Sequence, residues 1–172
     1  MAGFGSGLVH PLITPAHLLL LIGLGLWLGQ RPPLRVRAAM YYFAPLSAVG
    51  LLLTTQLSLA PAWQVLLPGM ALCVAVLVAS SRPALAWMQA TLAAVAGMAL
   101  GLDSGVDAGA PGSAVAVTLL GTWIALNVLL VNLAHYTSLL PQRKWASIGV
   151  RIAGSWIAAI CVLVLAFAAR SA

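Results

Sequence analysis

The side chains that could carry chemistry in this 172-residue chain are few, since it has eight basic residues, two acidic residues and three histidines. His10 and His17 are seven positions apart. A regular helix would hold them on one face, about 10 Å apart along its axis. A metal ion needs its imidazole nitrogens within about 2.1 Å, so a regular helix cannot place both on one ion. Pro11 and Pro15 could break the helix and shorten that distance. The alternative is a turn-capping His10 and a buried, hydrogen-bonded His17.

Asp103 and Asp107 are the only carboxylates in the chain. They follow an apolar stretch, and we expect its end on the same side of the membrane as His10 and His17. Carboxylate oxygen and imidazole nitrogen together form a ligand set that divalent transition metals accept. The alternative is a solvated loop, because Asp-Ser-Gly and Asp-Ala-Gly are ordinary turn sequences.

A second group of polar residues lies on a later apolar stretch. Asn127, Asn132 and His135 belong to it, and with Asp103 they form a candidate polar track. The alternative is that they make interhelical hydrogen bonds, which contribute about 0.6 kcal/mol on average in membranes. We expect His135 near the opposite membrane surface from His17, too far away to share an ion with it.

The composition requires these residues to be positioned by membrane helices. Hydrophobic residues make up 63% of the chain and charged residues 6%, whereas charged residues are about 25% of a soluble domain. This excludes a soluble enzyme, a disordered protein, a nucleic-acid binder and a disulfide scaffold. Cys73 and Cys161 lie in different apolar stretches, so we expect them to be packing residues. The chain is predicted to be an all-α integral membrane protein.

Six apolar stretches are long enough to be spanning helices, which need about 20 residues each. They predict one transmembrane domain over residues 1–172, a bundle of six helices. Pro45 and Pro68 fall inside two of them, which membrane helices tolerate when neighbours satisfy the freed carbonyls. Pairs of small residues four apart, such as Gly25 with Gly29, Gly97 with Gly101 and Gly149 with Ala153, predict close helix packing. The predicted helices cover residues 12–28, 38–57, 63–79, 84–102, 113–139 and 148–169.

Basic residues predict the orientation of the bundle. Seven fall in or beside alternate loops, against one on the other side, and the positive-inside rule puts the seven in the cytoplasm. Both termini then lie on the periplasmic side. The first residues lack a basic segment, so we expect no cleavable signal peptide. The seven are Arg31, Arg35, Arg37, Arg82, Arg143, Lys144 and Arg151, and the eighth is Arg170.

The segment 7–27, GLVHPLITPAHLLLLIGLGLW, resembles the first-helix signature of the HupE/UreJ family: His-Pro, a Gly-containing stretch, Asp-His-Leu-Leu and then Gly-Leu-Trp. These bacterial six-helix membrane proteins are regarded as nickel or cobalt permeases. Residues 67–72 and 100–107 fall where the family has Glu-x-Gly-x-Ala and His-Gly-x-x-His-Gly-x-Glu, and Arg151 and Gly154 match its closing segment loosely. The resemblance covers nearly the whole chain and implies a multi-pass protein of the bacterial inner membrane.

Several of the family's ligand positions are occupied here by other residues. At matching positions the resemblance retains three ligand-competent residues, His10, His17 and Asp107, and it therefore implies these as metal ligands. Its remaining acidic and histidine positions carry Ala16, Leu67, Leu100, Ser104 and Asn132.

Two functions follow from this pattern. One is transport of a divalent metal, nickel or cobalt, or of another small solute; the ion would be a substrate, and no resident cofactor is indicated. The other is a non-transporting accessory subunit that kept the fold, lost the site and packs in a larger membrane complex, its interior closed at Leu67 and Leu100. A pigment or haem protein using His17 or His135 has no supporting motif. We expect no enzyme activity, and as partners the lipid bilayer, or other membrane subunits, but no nucleic acid.

Overall fold

The computed structural model describes residues 3–30, 36–56, 63–81, 85–105, 112–140 and 144–170. Within these ranges the chain is all-α, with seven helices and no strand. The helices are α1 (Phe4–Ile13), α2 (Pro15–Gly29), α3 (Val36–Leu53), α4 (Trp63–Ser80), α5 (Ala86–Asp103), α6 (Gly112–Leu139) and α7 (Lys144–Arg170).

The first apolar stretch is two helices, where the sequence predicted one over residues 12–28. Helix α1 begins at Phe4, and a bend of 74° separates it from α2. Thr14 at the bend is extended, with φ −92° and ψ 106°, because a residue before proline is disfavoured in the helical region. Pro15 then occupies the first position of α2, where its missing N–H is not needed. The other five predicted helices are present, with ends shifted by a few residues.

Helix α2 forms the centre of the bundle. It is apolar on all sides, and nine of its 15 residues are buried, as expected for a helix enclosed by others. Leu20, Leu21 and Leu24 are completely inaccessible. His17, in the first turn of this helix, is therefore carried into the interior.

Glycines allow the helices to approach closely. A Cβ atom on Gly25 would lie 2.5 Å from Leu133 Cβ, and one on Gly29 would lie 2.5 Å from Thr137 Cβ, so α2 packs directly against α6. Gly97 and Gly101 of α5 similarly meet the backbone of α3. These contacts confirm two of the predicted small-residue pairs. At Gly149, of the predicted pair with Ala153, a Cβ would meet no described atom within 4 Å, and the close contact of α7 is made by Gly154.

The contacts also define the relative directions of the helices. Gly23 faces Val74 and the Gln30 side chain donates to the Val78 carbonyl (2.9 Å), so α2 and α4 run in the same direction. The Gly25 and Gly29 contacts make α2 and α6 parallel as well.

The remaining close pairs follow the same logic. Gly97 faces Phe43 and Gly101 faces Ser47, so α3 and α5 are parallel. Helix α7 runs opposite to α4, because Gly154 faces Val78 whereas Arg151 Nε donates to the Ala79 carbonyl (3.0 Å).

Two helices, α6 and the segment Trp145–Arg170, are individually long and apolar enough to cross a membrane. The count becomes three if the bent pair of α1 and α2 is one span. The segments Ala39–Leu53 and Val65–Ser80 are shorter apolar helices. The chain thus has helices capable of crossing a membrane, while a count of six spans stays a prediction.

Candidate functional site at the helix break

His17 is held in the interior by a residue from another helix. Its side chain is fully buried, and its Nε2 lies 2.9 Å from Asp103 Oδ2 at the end of α5. An ionised carboxylate can only accept hydrogen bonds, so His17 Nε2–H is the donor. This contact joins the start of α2 to the end of α5 at one end of the bundle.

His10 approaches His17 because the chain bends between them. Thr14 closes α1 by donating to the His10 carbonyl from both its backbone N–H (3.2 Å) and its hydroxyl (2.9 Å). The two imidazole ring centroids are 5.2 Å apart, with an interplanar angle of 76°. The predicted shortening is therefore observed at Pro15, whereas Pro11 lies within α1 and does not break it.

Two ring nitrogens of this pair have no hydrogen-bond partner among the side chains and backbone that the structure describes. They are His10 Nε2 and His17 Nδ1, and both are buried. A buried polar atom without a hydrogen-bond partner is destabilising, and such atoms are rare in native proteins. A neutral imidazole nitrogen that carries no proton can accept a hydrogen bond or coordinate a metal ion.

The distance between the rings fits such a ligand. Two imidazoles on one tetrahedral ion have centroids roughly 5 Å apart, since each nitrogen is about 2.1 Å from the ion and each centroid about 1.1 Å further. The observed separation is 5.2 Å. Among the described residues no group of three or more His, Cys, Asp or Glu side chains is arranged to hold an ion. The site therefore consists of a histidine pair with an adjacent carboxylate.

Asp103 gives this end of the bundle a negative charge. It is the last residue of α5, where the helix dipole is already negative, so a cation or an N–H donor nearby is favoured. Its side chain is 29% exposed, so the carboxylate is not fully desolvated. Ser104 ends the helix by donating from its hydroxyl to the Leu100 carbonyl (2.6 Å).

The structure does not bring the other predicted polar residues to this site. Asn127 Nδ2 donates to the Trp123 carbonyl (2.8 Å) and Asn132 Nδ2 to the Val128 carbonyl (2.7 Å), both within α6. Asn132 and His135 are exposed. Asp107 lies outside the described residues.

Apolar side chains occupy the interior near the level of His17. Leu100 lies one helical turn before Asp103. Val74 faces Gly23, and Leu67 precedes Val74 by about as many residues as His17 precedes Gly23, so Leu67 and His17 lie at a similar depth. Leu67 is 1% exposed and Leu100 is inaccessible. Both leucines are therefore buried at about the depth of His17, and a closed interior stays a prediction.

Sequence analysis predicted Asp103 on the same side of the membrane as His17, in a possible ligand set of carboxylate and imidazole, and also in a candidate polar track. It did not predict the direct contact between the two side chains. The contact could have been predicted from topology, because both residues were expected at the same membrane surface and Asp103 is one of only two acidic residues in the chain.

Comparison with known proteins identifies a family for the chain. The family model described as HupE / UreJ protein matches residues 1–164. Neither a curated protein nor a solved structure matches the chain significantly.

Proposed function

The chain belongs to the HupE/UreJ family, and from this premise we propose that it is a permease for a divalent transition-metal ion, nickel or cobalt, in the bacterial inner membrane. The observation that carries the proposal is the pairing of His10 and His17. Their rings are at the separation expected for two ligands of one ion, and each has a buried nitrogen without a partner among the described residues.

The chemistry of this pair suits transport better than permanent retention of an ion. Two imidazole nitrogens form an incomplete coordination shell, so water or another oxygen ligand must fill the other positions. An ion held in this way can be released again, as transport requires a site that binds without trapping. The partly exposed Asp103 beside the pair adds the negative charge that attracts a cation.

The relative directions of the helices support a six-span arrangement with α1 and α2 forming one bent span. In a chain that crosses alternately, spans one, three and five share a direction, and spans two, four and six share the opposite one. Helices α2, α4 and α6 are parallel, α3 and α5 are parallel, and α7 opposes α4. Together with the positive-inside rule, these directions support a periplasmic position for both termini and for the histidine pair.

Metal uptake by purified protein in liposomes tests the proposal directly. Vesicles containing the protein should accumulate nickel or cobalt from micromolar external solution faster than protein-free vesicles. Equal accumulation in the two preparations, together with no binding of either ion in detergent, would contradict the proposed permease function.

One observation favours a second candidate, the non-transporting accessory subunit. Leu67 and Leu100 are buried in the interior, and Asn132 and His135 lie on the exposed surface. An accessory subunit should migrate with other membrane proteins in a large complex after mild solubilisation, whereas a permease should migrate alone or as copies of itself.

A further inference from the structure

His17 is the imidazole of the pair that, among the described residues, has a carboxylate partner on one ring nitrogen. Its Nε2 is 2.9 Å from Asp103 Oδ2, and its side chain is fully buried. The two atoms are contributed by different helices, and the backbone contacts of Gly97 and Gly101 with α3 fix the position of α5. The carboxylate is thus held in place independently of His17.

This contact determines which nitrogen of His17 is available for binding. A neutral imidazole has one N–H donor and one acceptor nitrogen, and an ionised carboxylate is only an acceptor. The proton therefore resides on Nε2, and Nδ1 keeps its lone pair. Nδ1 is buried and has no partner among the described residues, and the centroid of the His10 ring lies 5.2 Å from that of His17.

We propose that Asp103 is a positioning residue that holds His17 in the Nε2–H tautomer, so that His17 binds the metal ion through Nδ1. The inference rests on the proposed function for the metal, but its tautomer part concerns the metal-free protein. Histidine ligands of metals commonly donate their other ring N–H to a carboxylate, which fixes the ring and raises the basicity of the ligand nitrogen. Asp103 is placed to do this for His17.

The tautomer can be measured in the metal-free full-length protein by ¹⁵N NMR of labelled histidine. We expect His17 to show an unprotonated Nδ1 and a protonated Nε2, with H10A and H135A used to assign the signals. In D103N the amide can donate as well as accept, so the two tautomers should become mixed or reversed. D103E should preserve the wild-type pattern, because a carboxylate remains available.

Metal binding is measured on the same proteins by calorimetric titration with nickel or cobalt. D103N should bind tenfold to a hundredfold more weakly than wild type, the loss typical of such supporting carboxylates, and D103E should recover part of it. S104A is the matched control. Ser104 is adjacent and buried, but it donates to the Leu100 carbonyl and not to His17, so S104A should bind like wild type.

The outcomes separate the inference from the proposed function. A proton on His17 Nδ1 in the wild type would overturn the inference even if metal binds. An unchanged tautomer together with unchanged affinity in D103N would also overturn it. If the wild-type protein binds neither ion, the proposed permease function is contradicted. The NMR signals of the same metal-free protein still decide whether Asp103 sets the tautomer of His17.

Discussion

The ring centroids of His10 and His17 lie 5.2 Å apart although seven residues separate them in the chain. A continuous helix would place them about 10 Å apart along its axis. The difference arises at Thr14, whose extended backbone ends α1, and at Pro15, which begins α2 in a direction 74° away. The local break therefore creates the pair from residues that a straight span would keep apart.

Replacing His17 by alanine should abolish the metal site. The pair supplies only two ring nitrogens, so H17A should weaken nickel or cobalt binding by about 100-fold or more, at least the upper loss seen for supporting residues. Calorimetric titration measures metal binding, and uptake into liposomes measures transport. H135A is the matched control, because His135 is exposed on α6 and should leave both unchanged. Normal uptake by H17A would exclude His17 from the transport site.

The close packing of α3 on α5 predicts a severe effect of a small substitution. A Cβ on Gly101 would clash with the Ser47 carbonyl oxygen and lie 2.8 Å from the Leu51 nitrogen. G101A should therefore lower the free energy of unfolding in detergent by about 1–3 kcal/mol, the usual range for overpacking.

G149A is the control for this substitution, because no atom of the described residues lies within 4 Å of a Cβ at Gly149. It should be neutral or stabilise α7 by about 0.5–1 kcal/mol, since alanine is the better helix former. Equal destabilisation by G101A and G149A would show that the close approach of α3 and α5 does not determine stability.

Two neighbouring leucines test whether the interior is closed beside the site. Leu67 is 1% exposed and Leu66 is 40% exposed. L67A should lower the free energy of unfolding by about 2–5 kcal/mol, because it leaves a cavity in the core, and L66A should have a much smaller effect. Thermal unfolding in one detergent compares them. If L66A were as unstable as L67A, the predicted difference between a core leucine and an exposed leucine would be contradicted.

The orientation is tested at the two ends of α6. Its 28 residues extend about 42 Å at 1.5 Å per residue, enough to cross the roughly 30 Å hydrocarbon layer. In a background where Cys73 and Cys161, both free thiols, are replaced, S113C should react with an impermeant reagent from the periplasm. S138C should react only after the membrane is opened. Labelling of both from one side would reject the predicted orientation.

The positions of the long helices were predictable because composition and turn residues mark them. The predicted stretch 113–139 corresponds to α6 (Gly112–Leu139), and 84–102 corresponds to α5 (Ala86–Asp103). The number of helices was not predictable, since hydrophobicity alone cannot show that a proline near one end of an apolar stretch divides it into two helices. The sequence indicated the possibility through Pro15, and the extended Thr14 decided it.

The site was only partly predictable for a similar reason. His10 and His17 were identified because imidazoles are rare in apolar segments. The partnership of His17 with Asp103 depends on how far α5 extends beside α2, which the Gly97 and Gly101 contacts with α3 determine. Asn132 was expected to contribute to a polar track, and its amide bonds within its own helix. Pattern alone gives no information on which way such a side chain turns.

The separation of 86 positions between His17 and Asp103 also imposes an order on biosynthesis. At a synthesis rate of about 5–20 residues per second, the carboxylate leaves the ribosome roughly 4–17 s after the imidazole. In that interval α4 can dock on α2, since Gln30 and Val78 are already available to bond. A nascent chain that stops before α5 therefore carries both histidines without the carboxylate, and ribosome-bound intermediates of that length should not yet hold His17 in its final tautomer.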